Sequence, residues 1–282
     1  MVIYKIKSYA KINLALNVVG KISKLHKIES IVSFLDYHDL IFINQIFKKK
    51  HEILFYGKFS KKIKKKNSIS ELLRILDKKN LLDNRKFNIK IKKNIPQKSG
   101  LGGGSMNAAS LLNFFIRKKL IKFKNKKEIF NISKLIGSDV GLGIEPKNTF
   151  VSWKGKVTKF TKKKILYTLV VKPNFGCSTK YIYSRVKSFT KPEFIFLKKD
   201  MFDYNFLKNC NNDLEKIAFL RYPILKKIKF FLETLPKVTF VRMTGSGSCI
   251  VAFFNSKKAS LNAAKVLNKK YKNYWCILSK TI

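Results

Sequence analysis

The sequence predicts an α+β protein of two domains, and three observations carry that expectation. The chain has 282 residues, enough for one large domain or two modest ones. An apolar fraction of 45% supplies buried cores and argues against disorder. Strand-like alternation and helix-like spacing follow one another along the chain, and the pattern changes after Pro146.

The elements follow in order. Val2 to Val19 runs apolar in short stretches and reads as one or two strands around Ala10–Asn13. Ser30 to Phe42 is a second strand-like run, broken at Tyr37-His38-Asp39. The lysine run Lys61–Lys66 reads as a solvated loop or strand edge, where charge discourages unwanted pairing. Ile69, Leu72, Leu73 and Leu76 recur at helical spacing over Ser68–Leu76. Phe87, Ile89 and Ile91 alternate with polar residues as a half-buried strand does. A helix over Ser105–Lys119 follows, with Ser105 as its N-cap, and another over Lys127–Leu135 that stops at Gly137. Phe150–Phe160 reads as a hairpin turning at Lys154-Gly155, and Ile165–Val171 as a strand ending before Pro173. The remainder reads as helices Asp213–Ala218 and Ile224–Leu235, strand Val238–Arg242, a glycine turn, strand Cys249–Phe254, helix Ala259–Asn268 and a last strand. The domain division falls near residues 146–165, and we set it as 1–158 and 159–282.

The segment Pro96–Ala109, PQKSGLGGGSMNAA, is the most informative part of the chain. It places Gly100, Gly102, Gly103 and Gly104 between a strand and a helix. Glycine backbone approaches a ligand closely, and a helix starting there presents free N–H groups. Those donors and the helix dipole favour an anion, and phosphate is the natural one. Two familiar phosphate loops do not fit. No Lys-[Ser/Thr] follows the glycines as a GxxxxGK[ST] loop requires, and a GxGxxG register from Gly100 ends on Ser105. Protein-kinase HRD and DFG signatures are absent from the sequence.

PxxxGLGGGSxNAA is similar to the ATP-binding motif of the GHMP small-molecule kinases, and two further motifs stand in the family's order. Tyr9-Ala10-Lys11-Ile12-Asn13-Leu14 resembles its first motif, and Met243-Thr244-Gly245-Ser246-Gly247-Ser248-Cys249 its third. Lesser matches lie between them: His26 ahead of SIVSFLDYHD, Asn67-Ser68-Ile69, Gly137-Ser138-Asp139-Val140 and Asn212-Asp213-Leu214-Glu215. The resemblance covers residues 2 to about 255. It implies an N-terminal ATP-binding domain like domain 2 of ribosomal protein S5 and a ferredoxin-like C-terminal domain. The implied activity is ATP-dependent phosphorylation of an alcohol, with Mg²⁺ offsetting the phosphate charge.

The resemblance also distributes roles. Phosphorylating a hydroxyl needs its proton to leave as the O–P bond forms, and Asp139 is the carboxylate placed to accept it or to orient the hydroxyl. Lys11 would stabilise charge on the transferred group. Pro96, Gly100, Leu101, Gly102, Gly103, Gly104 and Ser105 would line the ATP phosphates, with Ser105 also a Mg²⁺ contact, and Asn67 would touch the nucleoside. Asn13, His26, Thr179, Tyr183, Gly245 and Gly247 fall on the acceptor side. The branch of the family they resemble acts on a cytidyl diphosphate-linked sugar alcohol: His26 would hydrogen-bond the cytosine ring and Tyr183 stack on it. Leu25 stands where that branch commonly has Tyr, and Gly141 where it often has Pro. Kinases of the mevalonate or homoserine type are the nearest alternatives.

The formal charge of +45 raises a different class, a nucleic-acid-binding protein. The lysines are scattered through nearly every segment beside Ile, Phe, Asn or Tyr, which reads as lysine-coated faces and no specific nucleic-acid partner. Cys177, Cys210, Cys249 and Cys276 form no CxxC pair, so neither a zinc site nor a disulfide framework is expected, and a reducing cytoplasm fits. Charges interrupt the apolar part of the first segment, which makes it a poor signal peptide, and no apolar run approaches the roughly 20 residues of a membrane span. The expected state is a cytoplasmic monomer or homodimer that meets ATP and a small-molecule substrate.

Overall fold

The computed structural model describes residues 2–23, 25–123, 125–161, 164–194 and 200–282. They form two compact units, each assembled from separate stretches of chain. Unit 1 comprises Met1–Lys11, Tyr37–Gln97 and Gly102–Pro146; unit 2 comprises Ile12–Asp36, Lys98–Leu101 and Lys147–Ile282.

Two long strands open the chain, β1 (Tyr4–Ile22) and β2 (Leu25–Ile46). The expected break at Tyr37-His38-Asp39 does not occur, because the backbone there runs straight on in β2. Each unit takes one half of each strand. In unit 1, β2 pairs antiparallel with β4 (Lys86–Lys92) from Leu40 to Ile46, and β4 pairs parallel with β3 (Glu52–Tyr56). Alternation in β4 sends Phe87, Ile89 and Ile91 inward. Against them lie α1 (Ser68–Lys78), α2 (Gly103–Arg117), α3 (Lys126–Ile136) and the single turn α4 (Val140–Gly143). Ile41, Ile43, Leu72, Leu76, Leu111, Leu112 and Phe115 complete this core.

In unit 2, β2 pairs with β5 (Asn148–Val151) from Ser30 to Val32, and β5 forms the expected hairpin with β6 (Val157–Phe160). The rest of the unit contains β7 (Tyr167–Lys172), α5 (Thr179–Ser184), α6 (Tyr204–Leu207), α7 (Leu214–Arg221), α8 (Pro223–Glu233), β8 (Val238–Met243), β9 (Ile250–Phe254), α9 (Lys257–Lys270) and β10 (Trp275–Lys280). The four strands make an antiparallel sheet in the order β10-β7-β9-β8. With helices after β7 and after β9, this is the β-α-β-β-α-β arrangement of ferredoxin-like domains. Leu169, Val171, Val241, Met243, Ile250, Ala252 and Phe254 pack there on Ile228, Leu232, Ala263 and Leu267.

The short elements β3, α4, α5 and α6 have no counterpart in the sequence reading. A strand of 5 residues or a helix of 4 or 6 carries too few apolar repeats to show a period.

Candidate active site

Unit 1 contains a glycine-rich helix entry. Helix α2 begins at Gly103, with Gly102 as N-cap in the left-handed region at φ 68°. Ser105 is therefore not the N-cap: the cap falls three residues earlier, and Ser105 is the third residue of the first turn. The first bond of the helix runs from the Met106 N–H to the Gly102 carbonyl at 2.9 Å. The N–H groups of Gly103, Gly104 and Ser105 precede that bond and have no partner within the helix.

The glycine at 102 answers two demands at once. Its φ is one that side chains rarely adopt, and a Cβ there would come within 2.7 Å of Lys11 Cγ and 3.2 Å of Lys11 Cε. The Lys11 stem thus lies flat beneath the loop. Its ammonium ends 3.4 Å from Asp139 Oδ2, with side-chain exposures of 7% for Lys11 and 34% for Asp139. A buried stem fixes the ammonium, while the half-open carboxylate can still receive a ligand. Asp139 precedes α4 without capping it, so its side chain is not consumed by the helix. Gly137, two residues earlier, ends α3 in extended backbone, and a Cβ there would stand 3.8 Å from Ser105 Oγ. Gly141 lies in α4 against Phe130.

A second helix entry meets the first. Asn67 forms a capping box at the start of α1: its Oδ1 accepts from the Ile69 and Ser70 N–H groups, and its Nδ2 donates to the Lys64 and Lys65 carbonyls. Its amide therefore has a structural task in addition to the nucleoside contact the resemblance implies. A Cβ on Gly104 would lie 3.3 Å from Ser68 Oγ, so the N-termini of α1 and α2 adjoin. Two adjoining positive helix ends suit a ligand with several negative charges. Pro96 is buried just ahead of the loop.

In unit 2, the first part of the loop is held by its carbonyls. Those of Lys98, Ser99 and Gly100 accept, in turn, from the Cys177 N–H, the Cys249 N–H and the Thr244 hydroxyl. Three successive oxygens are thereby committed to protein donors, which leaves none of them to repel an anion. Thr244 is the centre of this unit's site. Its Oγ1 donates to the Gly100 carbonyl at 3.1 Å and accepts from the Asn13 N–H at 3.0 Å. Gly100 has φ 79°, and a Cβ on it would overlap the Thr244 carbonyl oxygen. Leu101 is fully buried behind it.

The turn after Thr244 carries Gly245 at φ 53° and Gly247 at φ 83°. A Cβ at Gly245 would stand 3.4 Å from Asn13 Oδ1, and one at Gly247 would stand 2.9 Å from Met243 Sδ. Asn212 holds the turn from behind, donating to the Met243 and Gly245 carbonyls at 2.7 and 2.8 Å. Asn13 Nδ2 donates to Ser30 Oγ. Thr179 and Ser246 share a hydroxyl–hydroxyl bond of 2.8 Å. His26 and Tyr183 meet with ring centroids 5.1 Å apart. Burial, with Lys21 nearby, holds the His26 imidazole below its ordinary pKa. A neutral ring, able both to donate and to accept, is the form at neutral pH. Leu25 projects into solvent at 78% exposure.

The GHMP kinases N terminal domain family matches residues 67–152, and the GHMP kinases C terminal family matches residues 200–273. A 4-diphosphocytidyl-2-C-methyl-D-erythritol kinase of Pelagibacter ubique is 60% identical over 279 residues, 99% of each chain. The chain belongs to the GHMP kinase family. A solved 4-(cytidine 5'-diphospho)-2C-methyl-D-erythritol kinase is similar in fold, with TM-score 0.76 and 19% identity over 99% of this chain and all of that one. A homoserine kinase from Cytophaga hutchinsonii has TM-score 0.68 and 17% identity over 98% of this chain and 95% of that one. The two-domain α+β expectation holds, and ATP use follows from the family. No helix among the described residues is long and apolar enough to cross a membrane.

Within the units, the structure brings together two sets of the expected residues of this GHMP kinase. Lys11, Asp139, Gly102 and the start of α2 cluster in unit 1; Asn13, Gly100 and Gly245 cluster in unit 2, where Thr179 adjoins the same turn and His26 pairs with Tyr183. Sequence reasoning passed over Thr244, Ser68 and Ser246. Each stood inside one of the matching motifs, but a lone hydroxyl carries no signal until its partners are known.

Thr244→Val keeps the shape and removes the hydroxyl, leaving the Asn13 N–H and the Gly100 carbonyl unpaired. Such losses cost about 1–3 kcal/mol for each buried group. The expected result is a lower melting temperature together with a raised KM for ATP, both restored by Thr244→Ser, as thermal unfolding and steady-state kinetics will show.

Proposed function

We propose that this kinase transfers the γ-phosphoryl group of ATP to the 2-hydroxyl of 4-diphosphocytidyl-2-C-methyl-D-erythritol, giving the 2-phosphate and ADP in isoprenoid precursor synthesis. The reaction type rests on one observation: the Lys11 ammonium, its stem beneath Gly102, stands against the partly open carboxylate of Asp139. The choice of acceptor comes from the substrate named by the 60% identical relative.

Chemically, the γ-phosphorus leaves its bridging oxygen, which departs with ADP, and bonds to the acceptor oxygen. Asp139 orients the hydroxyl and takes its proton as that bond forms. The Lys11 ammonium stabilises negative charge on the group in transit and, 3.4 Å from Asp139 Oδ2, holds that carboxylate in position. The N–H groups of Gly103, Gly104 and Ser105 bind the phosphate tail, and Asn67, as the cap of α1, places the nucleoside end beside them. Asn13, Thr179, Gly245 and Gly247 position the acceptor, while the His26 ring recognises cytosine with Tyr183 against it. All of this is positioning plus electrostatics, with no covalent enzyme intermediate. In this reading residues 1–158 form the N-terminal, ATP-binding domain and 159–282 the C-terminal domain.

Among the described residues no cluster of three or more His, Cys, Asp or Glu side chains could hold a metal alone. A hydroxyl suits Mg²⁺, which is usually bound by a few protein oxygens together with substrate phosphates. Ser105 would hold it there, and it would supply charge neutralisation to the phosphates.

The test is ADP release by the purified protein with a panel of alcohols: the cytidyl compound, mevalonate and homoserine. Turnover is expected with the cytidyl compound, and turnover with another member alone would refute the acceptor assignment. Asp139→Asn is expected to lower kcat roughly 10²-fold or more with KM for ATP nearly unchanged. Unchanged turnover would remove Asp139 from the chemistry. The depressed His26 pKa gives a pH signature as well. KM for the cytidyl substrate is expected to stay flat above the ordinary histidine value of about 6.5. It rises only at lower pH, as the ring protonates and loses its acceptor, and His26→Ala abolishes that rise.

A further inference from the structure

A second charged pair in unit 1 lies entirely inside the protein. Lys93 Nζ donates to Asp39 Oδ2, and the two side chains are only 4% and 0% exposed. The other carboxylate oxygen, Asp39 Oδ1, accepts from the Asn94 N–H at 2.7 Å and the Ile95 N–H at 2.8 Å. Neighbours of Asp39 extend the clamp: Tyr37 Oη donates to the Asn94 carbonyl at 2.7 Å, and Asn94 Nδ2 donates to the His38 carbonyl at 2.9 Å. Three consecutive residues of β2 thus fix three consecutive residues of the segment that leaves β4 and enters the glycine loop.

That segment is the floor on which α2 begins. A Cβ on Gly103 would stand 3.0 Å from Ile95 Cγ2 and 3.3 Å from Lys93 Nζ. Ile95 is fully buried. The first helical residue of the loop therefore rests on the two side chains whose places the Asp39 clamp determines. Stability alone is a poor reason for this pair, since a buried ion pair is often matched or bettered by apolar residues of similar volume. What a carboxylate with three directed contacts adds is a single position for the backbone and for the ammonium.

We propose that Asp39 and Lys93 are positioning residues for the ATP phosphate loop: through Ile95 and the ammonium they set the height and direction of the N–H groups of Gly103, Gly104 and Ser105. This rests on the reading that the loop holds the phosphates of ATP. Small misplacements of such donors are costly, because binding geometry is exacting.

The test uses the full chain and compares Lys93→Met, Asp39→Asn and the double variant Asp39→Asn/Lys93→Met with Leu72→Ala, a core truncation in the same unit, as the stability control. KM for ATP, KM for the acceptor and the melting temperature are measured for each. The expected result is a KM for ATP raised about tenfold or more, with KM for the acceptor within about twofold. Leu72→Ala lowers the melting temperature without that split. The double variant leaves no unpaired buried charge, so it reports even where a single variant fails to fold. If it binds ATP as the control does, the proposal is overturned. Gly102→Ala separates the two readings. A raised KM for ATP there with none in the Asp39 and Lys93 variants refutes the positioning role alone, whereas no effect in any of them refutes the phosphate loop itself.

Discussion

Lack of room for any side chain along one short stretch of backbone governs the rest of this molecule. Gly100 lies against the carbonyl of Thr244, Gly102 against the stem of Lys11, and Gly103 against Ile95 and Lys93. These neighbours come from three separate segments of the chain. The loop is therefore shaped by what presses on it, and its glycines are the consequence of that pressure as much as of any ligand. Where its carbonyls are committed, to Cys177, Cys249 and Thr244, the anion-repelling side of the peptide is turned to protein donors. Where α2 begins, the opposite side of the peptide is offered.

Much of this could be read from the residues alone. Phe87, Ile89 and Ile91 showed a strand because one face is buried, and Ile69, Leu72, Leu73 and Leu76 showed a helix for the same reason. The glycine loop pointed to phosphates, and the resemblance to the GHMP kinases singled out Lys11 and Asp139, which the structure pairs. Other features had no local signal. β2 continues through Tyr37-His38-Asp39 because a polar interruption is tolerated where Asp39 and Tyr37 have partners in residues 93–95, which are far away in sequence. Helix α2 starts before Ser105 because its cap is a backbone conformation of Gly102, with no side-chain hydrogen bond. Thr244 and the Asp39–Lys93 pair depend on contacts between distant segments, which spacing cannot reveal.

The charge balance leaves its own mark on the structure. With 61 basic and only 16 acidic residues, most ammonium groups cannot find a carboxylate. Several lie over aromatic faces instead: Lys118 over Tyr4, Lys134 over Phe130 and Lys270 over Phe231, each at 4.4 Å from the ring centroid. Of these, only Lys134 and Phe130 are close in the sequence, on the same helix α3; the other two pairs join distant segments. Among the described residues, two of the buried carboxylates lie beside the loop or the turn that meets it. Asp39 holds the floor of the loop, and Glu215 accepts from the Met243 N–H just before Thr244 while pairing with Lys229.

The most direct measurement of the central claim is the change in backbone amide resonances when a non-hydrolysable ATP analogue is added to the labelled protein. If the loop receives the phosphates, the largest shifts fall on the N–H groups of Gly103, Gly104 and Ser105. Saturating analogue that leaves those three amides unmoved, while shifting others, would contradict the account.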